Sequence, residues 1–415
     1  MVIGAGVLGA SVAARLAGSG MRVTLLEADQ PGRATSRWSF AWVNSNDKGP
    51  RPYHDLNHAG LRAWAELAPG LDGAAWYRPA GHIELATDGP GLATSATDGP
   101  GLATSATDGP GLATSAAAGA ALAARVRRLA GWGYPARLID AAEAAEIEPA
   151  LLPPGPGAVA AWFPGEAYLL TEPLIDRLVT SARALGAAIV TGDQGRVTGL
   201  SPGRVRIAAG EVVAADEIVC CAGRWTPQVT ALAGAVAPVP LVAWETPGAT
   251  APGLVVRVGP VGPDGPARVI HTPQLALRPH PGGLLHLEAP DAAVDLHTPD
   301  AELRRWAAEL LQRARRTVRG AEHATVAGYQ VCVRPMPVDG QSVVGRLPGA
   351  EWLYVAVTHS GVTLAAHLSR LIAAELATGV PSAELGPYRP DRFAGTAVPI
   401  TGPISGPITG PSTGR

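Results

Sequence analysis

Three glycines near the start of the chain, Gly4, Gly6 and Gly9, and one acidic residue, Glu27, have the types and spacing of a nucleotide-binding turn. The triplet follows a short apolar run, Met1-Val2-Ile3, and opens a helical run; Glu27 closes the next apolar strand 18 residues after Gly9. Each part has a physical task. Gly4 permits a tight turn, Gly6 lets backbone approach a pyrophosphate, Gly9 lets the helix lie close on the sheet, and Glu27 accepts hydrogen bonds from ribose hydroxyls. A bare glycine triplet is weak evidence, whereas triplet, helix and acidic strand end together specify an ADP-containing cofactor. They do not choose between FAD and NAD, which share the ADP half.

Residues 1 to 29 therefore read as strand, turn, helix and strand. Only three residues precede Gly4, fewer than the ~5–6 of a mean strand. The strand is expected to start upstream of Met1, and extending the chain there is expected to tighten cofactor retention. Helical patterns follow at about 118–131, 171–185, 300–318 and 362–378, and strand-like runs at 187–191, 203–207, 217–221, 254–258, 268–278, 284–288 and 352–357. The two kinds alternate at both ends of the chain, whereas 226–298 is mostly strand and turn.

TDGPGLATSA occurs three times in tandem over 87–116. Each copy carries an Asp-Gly-Pro-Gly breaker, so the repeat is expected to be an inert expanded loop. The tail 391–415 repeats ITGP, ISGP and ITGP and is expected to be disordered.

The bulk numbers exclude several classes. The formal charge is −2 with no block of like charge, so there is no basic footprint for nucleic acid. No window reaches the ~18 uninterrupted apolar residues of a membrane span, and no signal peptide is visible. Three cysteines, Cys220, Cys221 and Cys332, are too few for a disulfide framework or a zinc site, which fits a reducing cytoplasm. The expected partners are small molecules.

Four segments together resemble the family of FAD-dependent oxidoreductases that includes D-amino-acid oxidase, glycine oxidase and sarcosine oxidase. The first is VIGAGVLGASVAARLAGSGMRVTLLEAD at the N-terminus, and the second is ATSRWSFAWVN at 34–44. The third is EIVCCAGRWTP at 217–227; the fourth runs from Val333 through Asp339-Gly340 and Val344-Gly345 to a buried strand and a final helix ending near Gly379. The resemblance implies FAD as cofactor. It places Thr35, Ser36 and Arg37 near phosphate, Ala41 and Trp42 near the isoalloxazine, and Val197, Ala222 and Gly223 beside the cofactor. The turn from Thr358 through Ser360, Gly361, Val362 and Thr363 would meet the flavin ring.

The fold class this implies is α/β, a Rossmann-type FAD-binding domain with an inserted α+β substrate domain built on an antiparallel sheet. The FAD-binding domain is expected at 1–75, 166–225 and 326–390 and the substrate domain at 76–165 and 226–325. The activity implied is oxidation of the C–N bond of a D-amino acid, glycine or N-methyl amino acid, by hydride transfer to flavin N5, giving an imine that hydrolyses. Oxygen or another acceptor would then take the electrons.

The resemblance makes Arg334 the anchor of a substrate carboxylate, a task suited to a guanidinium fork; a structural ion pair is the competing reading. Cys332 matches a cysteine that holds FAD covalently in one branch of the family, but a small buried cysteine and non-covalent FAD are the expectation. His359 is a candidate flavin contact or acid/base group, or the cap of its turn. Cys220 and Cys221 are expected to pack, and Lys48, the only lysine, to be a solvated loop residue. Trp42, Tyr53, His54, His82, Tyr168, Trp244 and Arg278 fall on segments that border the site in the family. No Ser/His/Asp triad or carboxylate pair is visible, as expected where a cofactor carries the chemistry. Two alternatives remain open, an NAD(P)-dependent dehydrogenase and a flavin-binding subunit without turnover.

Overall fold

Val2–Ile3 is a strand with a parallel neighbour on each side, Thr24–Glu27 and Ile218–Cys220. A strand so enclosed is apolar on both faces, and Leu25, Leu26, Val219 and Cys220 are all buried. The six-stranded sheet runs in the order Val343–Leu347, Ala350–Val357, Ile218–Cys220, Val2–Ile3, Thr24–Glu27, Ala188–Thr191. Only the Val343–Leu347 edge is antiparallel. Helices Val7–Gly18 and Gly361–Thr378 pack against each other on one face, flanked by Thr171–Ala184 and Arg51–Leu67. The computed structural model describes residues 1–86, 115–155, 157–234 and 238–394.

The second large sheet has eight strands in the order Thr325–Val333, Pro252–Gly259, Leu284–Glu288, Leu275–His280, Val269–Thr272, His82–Ala86, Val159–Phe163, Arg137–Ile139. Every pair is antiparallel except His82–Ala86 with Val269–Thr272. Side chains alternate across a sheet, and here the alternation separates two chemistries. Ile83, Leu85, Ile270, Leu275, Leu277, Leu285 and Leu287 share one apolar core with Ala307, Leu310 and Ala314 of helix Asp300–Thr317. On the same strands His82, Glu84, His271, Arg278, His286 and Glu288 occupy the alternate positions, facing away from that helix. A three-stranded antiparallel sheet of Trp42–Val43, Ala167–Leu169 and Tyr77–Arg78 adds a further layer.

Some boundaries differ from the sequence reading. Thr325–Val333, expected to open the last cofactor segment, is instead the edge strand of the eight-stranded sheet, paired along Pro252–Gly259. The run 268–278 divides into the two strands Val269–Thr272 and Leu275–His280. Helix Arg51–Leu67 lacks helical composition at its start, yet Tyr53, Leu56, Asn57, Gly60, Leu61 and Trp64 recur at three- and four-residue spacing and are buried. Residues 391–393, assigned to a disordered tail, belong to a 3-10 turn, Pro390–Phe393, with Phe393 buried. Its neighbour Arg392 pairs with Asp339 at 2.7 Å. The rest of the tail, and the repeat apart from Ser115 and Ala116 at the start of helix Ser115–Gly131, lie outside the described residues.

Candidate active site

The glycine turn is held by contacts only glycine permits. Gly4 has φ +94°, a region that side-chain-bearing residues rarely adopt, and a Cβ there would stand 2.6 Å from the Cys221 carbonyl oxygen. A Cβ on Gly9 would stand 1.8 Å from the Gly4 oxygen. Gly9 is thus a packing residue beneath the turn. Helix Val7–Gly18 begins at Gly6 with no side-chain cap, leaving first-turn N–H groups at the positive end of its dipole. The Val7 N–H donates to Ser36 Oγ at 3.0 Å. Glu27 accepts from the N–H groups of Ala5 and Asp29 at 2.8 and 3.0 Å, and burial raises its pKa.

A cavity of about 1110 Å³ runs from this turn to the polar face of the eight-stranded sheet. That is slightly above the ~300–1,000 Å³ of small-molecule sites. Of the residues singled out from sequence, Gly4, Gly6, Glu27, Thr35, Ser36, Arg37, Ala41, Trp42, Val197, Ala222 and Gly223 line it. So do Cys332, Arg334, His359, Ser360, Gly361, Val362 and Thr363. Nearly 360 positions of chain thus converge on one space.

Details modify several expected roles. The Thr35 hydroxyl donates to the Val333 carbonyl at 2.7 Å, and the half-exposed Arg37 pairs with Glu172 at 3.1 Å. Ala41 sits at φ +57°, a left-handed conformation costing about 1–2 kcal/mol in a residue with a Cβ. That strain lies on the cavity wall. Arg334 donates from Nε to the Ala251 carbonyl and from Nη2 to the Thr250 carbonyl, at 3.2 and 3.0 Å. Among the described residues it forms no ion pair within 4.0 Å, against the structural reading.

His359 Nε2 lies 2.9 Å from the Gly340 carbonyl, which requires a proton on that nitrogen, and Ser360 Oγ lies 3.3 Å from Nδ1. Burial, then the charges of Lys48 and Arg334, lower its pKa to about 3. It is a neutral positioning group. Lys48 is not a detached surface residue, because it is half-buried and lines the cavity. Cys332 donates to the Thr35 carbonyl at 3.5 Å, and burial pushes its thiol up to about 12. Cys220 and Cys221 are buried with raised thiol pKa values, as packing cysteines are.

The profile of a family described as FAD dependent oxidoreductase matches residues 1–375. The chain belongs to the FAD-dependent oxidoreductase family. Its FAD cofactor sets aside the nicotinamide alternative. Among solved structures, glycine oxidase from Geobacillus kaustophilus superposes with a TM-score of 0.73 at 21% identity, covering 94% of this chain and 96% of that one. Iminodiacetate oxidase from Chelativorans sp. BNC1 gives 0.71 at 22%, covering 94% and 98%. L-proline dehydrogenase from P. horikoshii gives 0.74 at 16%, covering 94% and 96%. These likenesses show the fold. No curated protein matches the sequence.

This member of the FAD-dependent oxidoreductases has a site that fits the cofactor. The glycine turn offers bare backbone, the uncapped helix end offers N–H donors to a pyrophosphate, and Asn44 and Asn46 on the wall each keep a buried, unpartnered Oδ1. Buried polar atoms without partners are uncommon in finished structures. Among the described residues no helix is long and apolar enough to cross a membrane, and no cluster of potential metal ligands occurs.

Tyr53, His54, His82, Tyr168, Trp244 and Arg278 stand outside the lining. Tyr53 donates to Ser360 Oγ at 3.3 Å, and Arg278 is buried with its Nε donating to the Phe40 carbonyl. Residues absent from the sequence reading complete the wall, among them Glu84, Arg125, His271 and Glu288. Burial raises the Glu288 pKa to about 7, and the charges of Arg334 and Arg278 oppose that rise. Arg125 forms a close pair with Glu84 and a 3.6 Å pair with Asp47. The signal for Glu84 and Glu288 was the alternation His-Ile-Glu-Leu and Leu-Leu-His-Leu-Glu, polar residues at every second place of otherwise apolar strands.

Proposed function

We propose that the chain uses non-covalently held FAD to oxidise the C–N bond of a small amine or amino acid that carries a carboxylate. The observation that supports this best is Arg334. Its guanidinium lies in the same cavity as the glycine turn, is oriented by two backbone carbonyls, and forms no ion pair within 4.0 Å among the described residues, although its charge reaches the buried Glu288. A cation so placed suits a substrate carboxylate.

In this reading Gly4, Gly6 and the first turn of helix Val7–Gly18 hold the pyrophosphate, with Glu27 on the ribose and Val197 toward the adenine. Ala222 and Gly223 border the cofactor, and Ala41, Trp42 and residues 360–363 border its ring. Bound FAD supplies the acceptor for the two electrons leaving the C–N bond. The N-terminus of helix Gly361–Thr378 is uncapped by any side chain and favours negative charge beside it. Neutral His359 holds the preceding turn, and Arg334 orients the substrate. Oxygen or another acceptor takes the electrons onward.

Purified protein tests the reading. It should be yellow, and with glycine, D-amino acids, sarcosine, iminodiacetate or L-proline plus an artificial electron acceptor it should release the carbonyl or imine product. Product from none of them, in protein carrying stoichiometric FAD, contradicts the proposed substrate class and favours a flavin subunit without turnover.

A further inference from the structure

We propose that His271 is the base that removes a proton from the substrate amine, with His82 and Glu166 behind it as a proton relay. This rests on the reading of the substrate as an amine.

His82 and His271 are 189 residues apart in sequence and adjacent in space, because His82–Ala86 and Val269–Thr272 pair as neighbouring strands. Their alternate residues Ile83 and Ile270 face the helical layer, which puts both imidazoles on the opposite face. His271 Nδ1 lies 2.6 Å from His82 Nε2, and the rings meet edge-on at 82°. His82 Nδ1 lies 3.1 Å from Glu166 Oε2. Glu166 follows strand Val159–Phe163 and is fully buried.

The surrounding hydrogen bonds fix the direction of this file. Tyr134 accepts from the Ser45 N–H at 3.1 Å and donates its own proton to Glu166 Oε1 at 2.6 Å. The Trp42 indole N–H, which can only donate, reaches Glu166 Oε2 at 2.8 Å. Asn46 Nδ2 lies 3.4 Å from the same oxygen and 3.2 Å from His82 Nδ1. The carboxylate can only accept and is the nearer of the two neighbours of His82 Nδ1, at 3.1 Å, so it assigns the His82 proton to Nδ1 and leaves the Asn46 amide to donate to Glu166. His82 Nε2 is then an acceptor, so the proton of His271 is on Nδ1. The lone pair of His271 is left on Nε2.

That nitrogen has no partner among the described residues, and His271 lines the cavity. A histidine kept for structure normally has both nitrogens engaged. The ring of Trp42 packs at 4.3 Å and that of Phe40 at 5.6 Å, so the open nitrogen lies beside the segment proposed to border the flavin. The charged groups on the surrounding elements are Arg125, Glu84 and Asp47, linked to one another, buried Arg278 on the paired strand Leu275–His280, and Lys48 on the wall near His359.

Burial, His82 and Arg125 all resist a positive charge on His271. A relay avoids that charge. The substrate N–H bond breaks as H–Nε2 forms on His271; its Nδ1–H passes to His82 Nε2; and the His82 Nδ1–H passes to Glu166 Oε2. Both imidazoles end neutral, Glu166 ends as a carboxylic acid, and the electron pair of the broken N–H bond of the substrate ammonium stays on nitrogen as the amine lone pair. Reversal of the same transfers returns the proton when product leaves.

The test uses the holoenzyme, as wild type and as His271→Gln and Glu166→Gln variants, with glycine, sarcosine and L-proline as probes. Nitrogen-15 spectra of histidine-labelled wild type should show both His82 and His271 protonated on Nδ1. Flavin bleaching by the best probe should fall about 100-fold or more in either variant at neutral pH, and recover as pH approaches the amine's own pKa. A uniform loss at every pH, no loss, or a proton on His271 Nε2 overturns the relay while leaving the amine reading intact. Wild type that none of the probes bleaches overturns the amine reading itself. If the variants fail to fold, the wild-type spectrum decides.

Discussion

The two ends of the cavity are built in different materials. The end near Glu27 is made of backbone: a glycine turn, an uncapped helix start and one carboxylate already accepting two N–H groups. The opposite wall is made of side chains, His271, Glu84, Arg125, Glu288 and Arg334, projecting from strands and loops far apart in sequence. A backbone site recognises what every user of the cofactor shares, whereas a side-chain wall sets which substrate reacts.

Gly9→Ala should have the largest effect, because its Cβ would stand 1.8 Å from the Gly4 oxygen. The turn cannot close, and the protein should purify colourless or fail to accumulate; flavin absorbance per protein is the measurement. Retention of full FAD would break the claim that this end works through close backbone approach. The contrasting change is Arg334→Gln, which should leave FAD content unchanged. It should cost about 1.5–3 kcal/mol of transition-state binding, or about 10- to 150-fold in kcat/KM for carboxylate-bearing amines. Equal loss for an amine without a carboxylate would remove Arg334 from the anchor role.

Acidification should separate the ends further. His359 and His280 have pKa values of about 3 in the folded chain against about 6.5 unfolded. The unfolded chain binds more protons between those values, so stability rises with pH across the window. It is fully present above about pH 6.5 and declines as pH falls toward 3, by up to ~1.4 kcal/mol per unit for His359. Melting temperature should drop from pH 7 to pH 5, with a shallower slope in His359→Asn; parallel slopes would contradict the assignment. The smallest effect is expected from Cys332→Ser. Its thiol is protonated and hydrogen-bonded to Thr35, so denaturation should release FAD from wild type and variant alike. Flavin that stays with denatured wild type would establish a covalent link.

The legibility of the sequence follows the same division. Gly4, Gly6, Gly9 and Glu27 lie within 27 residues, and their spacing encodes the local turn directly. The closing unit from Arg334 to Gly379 is likewise continuous in the chain. The polar wall is not, because His82 and His271 become neighbours only through the strand order of the eight-stranded sheet. Glu166 joins them from a turn. The sheet that Thr325–Val333 joins was illegible for a related reason, since it depends on the partner strand, Pro252–Gly259. The pairing of Arg37 with Glu172 was equally illegible, because it connects residues 135 positions apart.

The central claim is that a carboxylate-bearing amine meets FAD in this cavity, and anaerobic mixing of the holoprotein with glycine, D-amino acids, sarcosine and L-proline tests it most directly. The account predicts that at least one of them bleaches the flavin absorbance and that Arg334→Gln slows that bleaching without loss of bound FAD. Flavin that dithionite reduces and none of these amines does would contradict it.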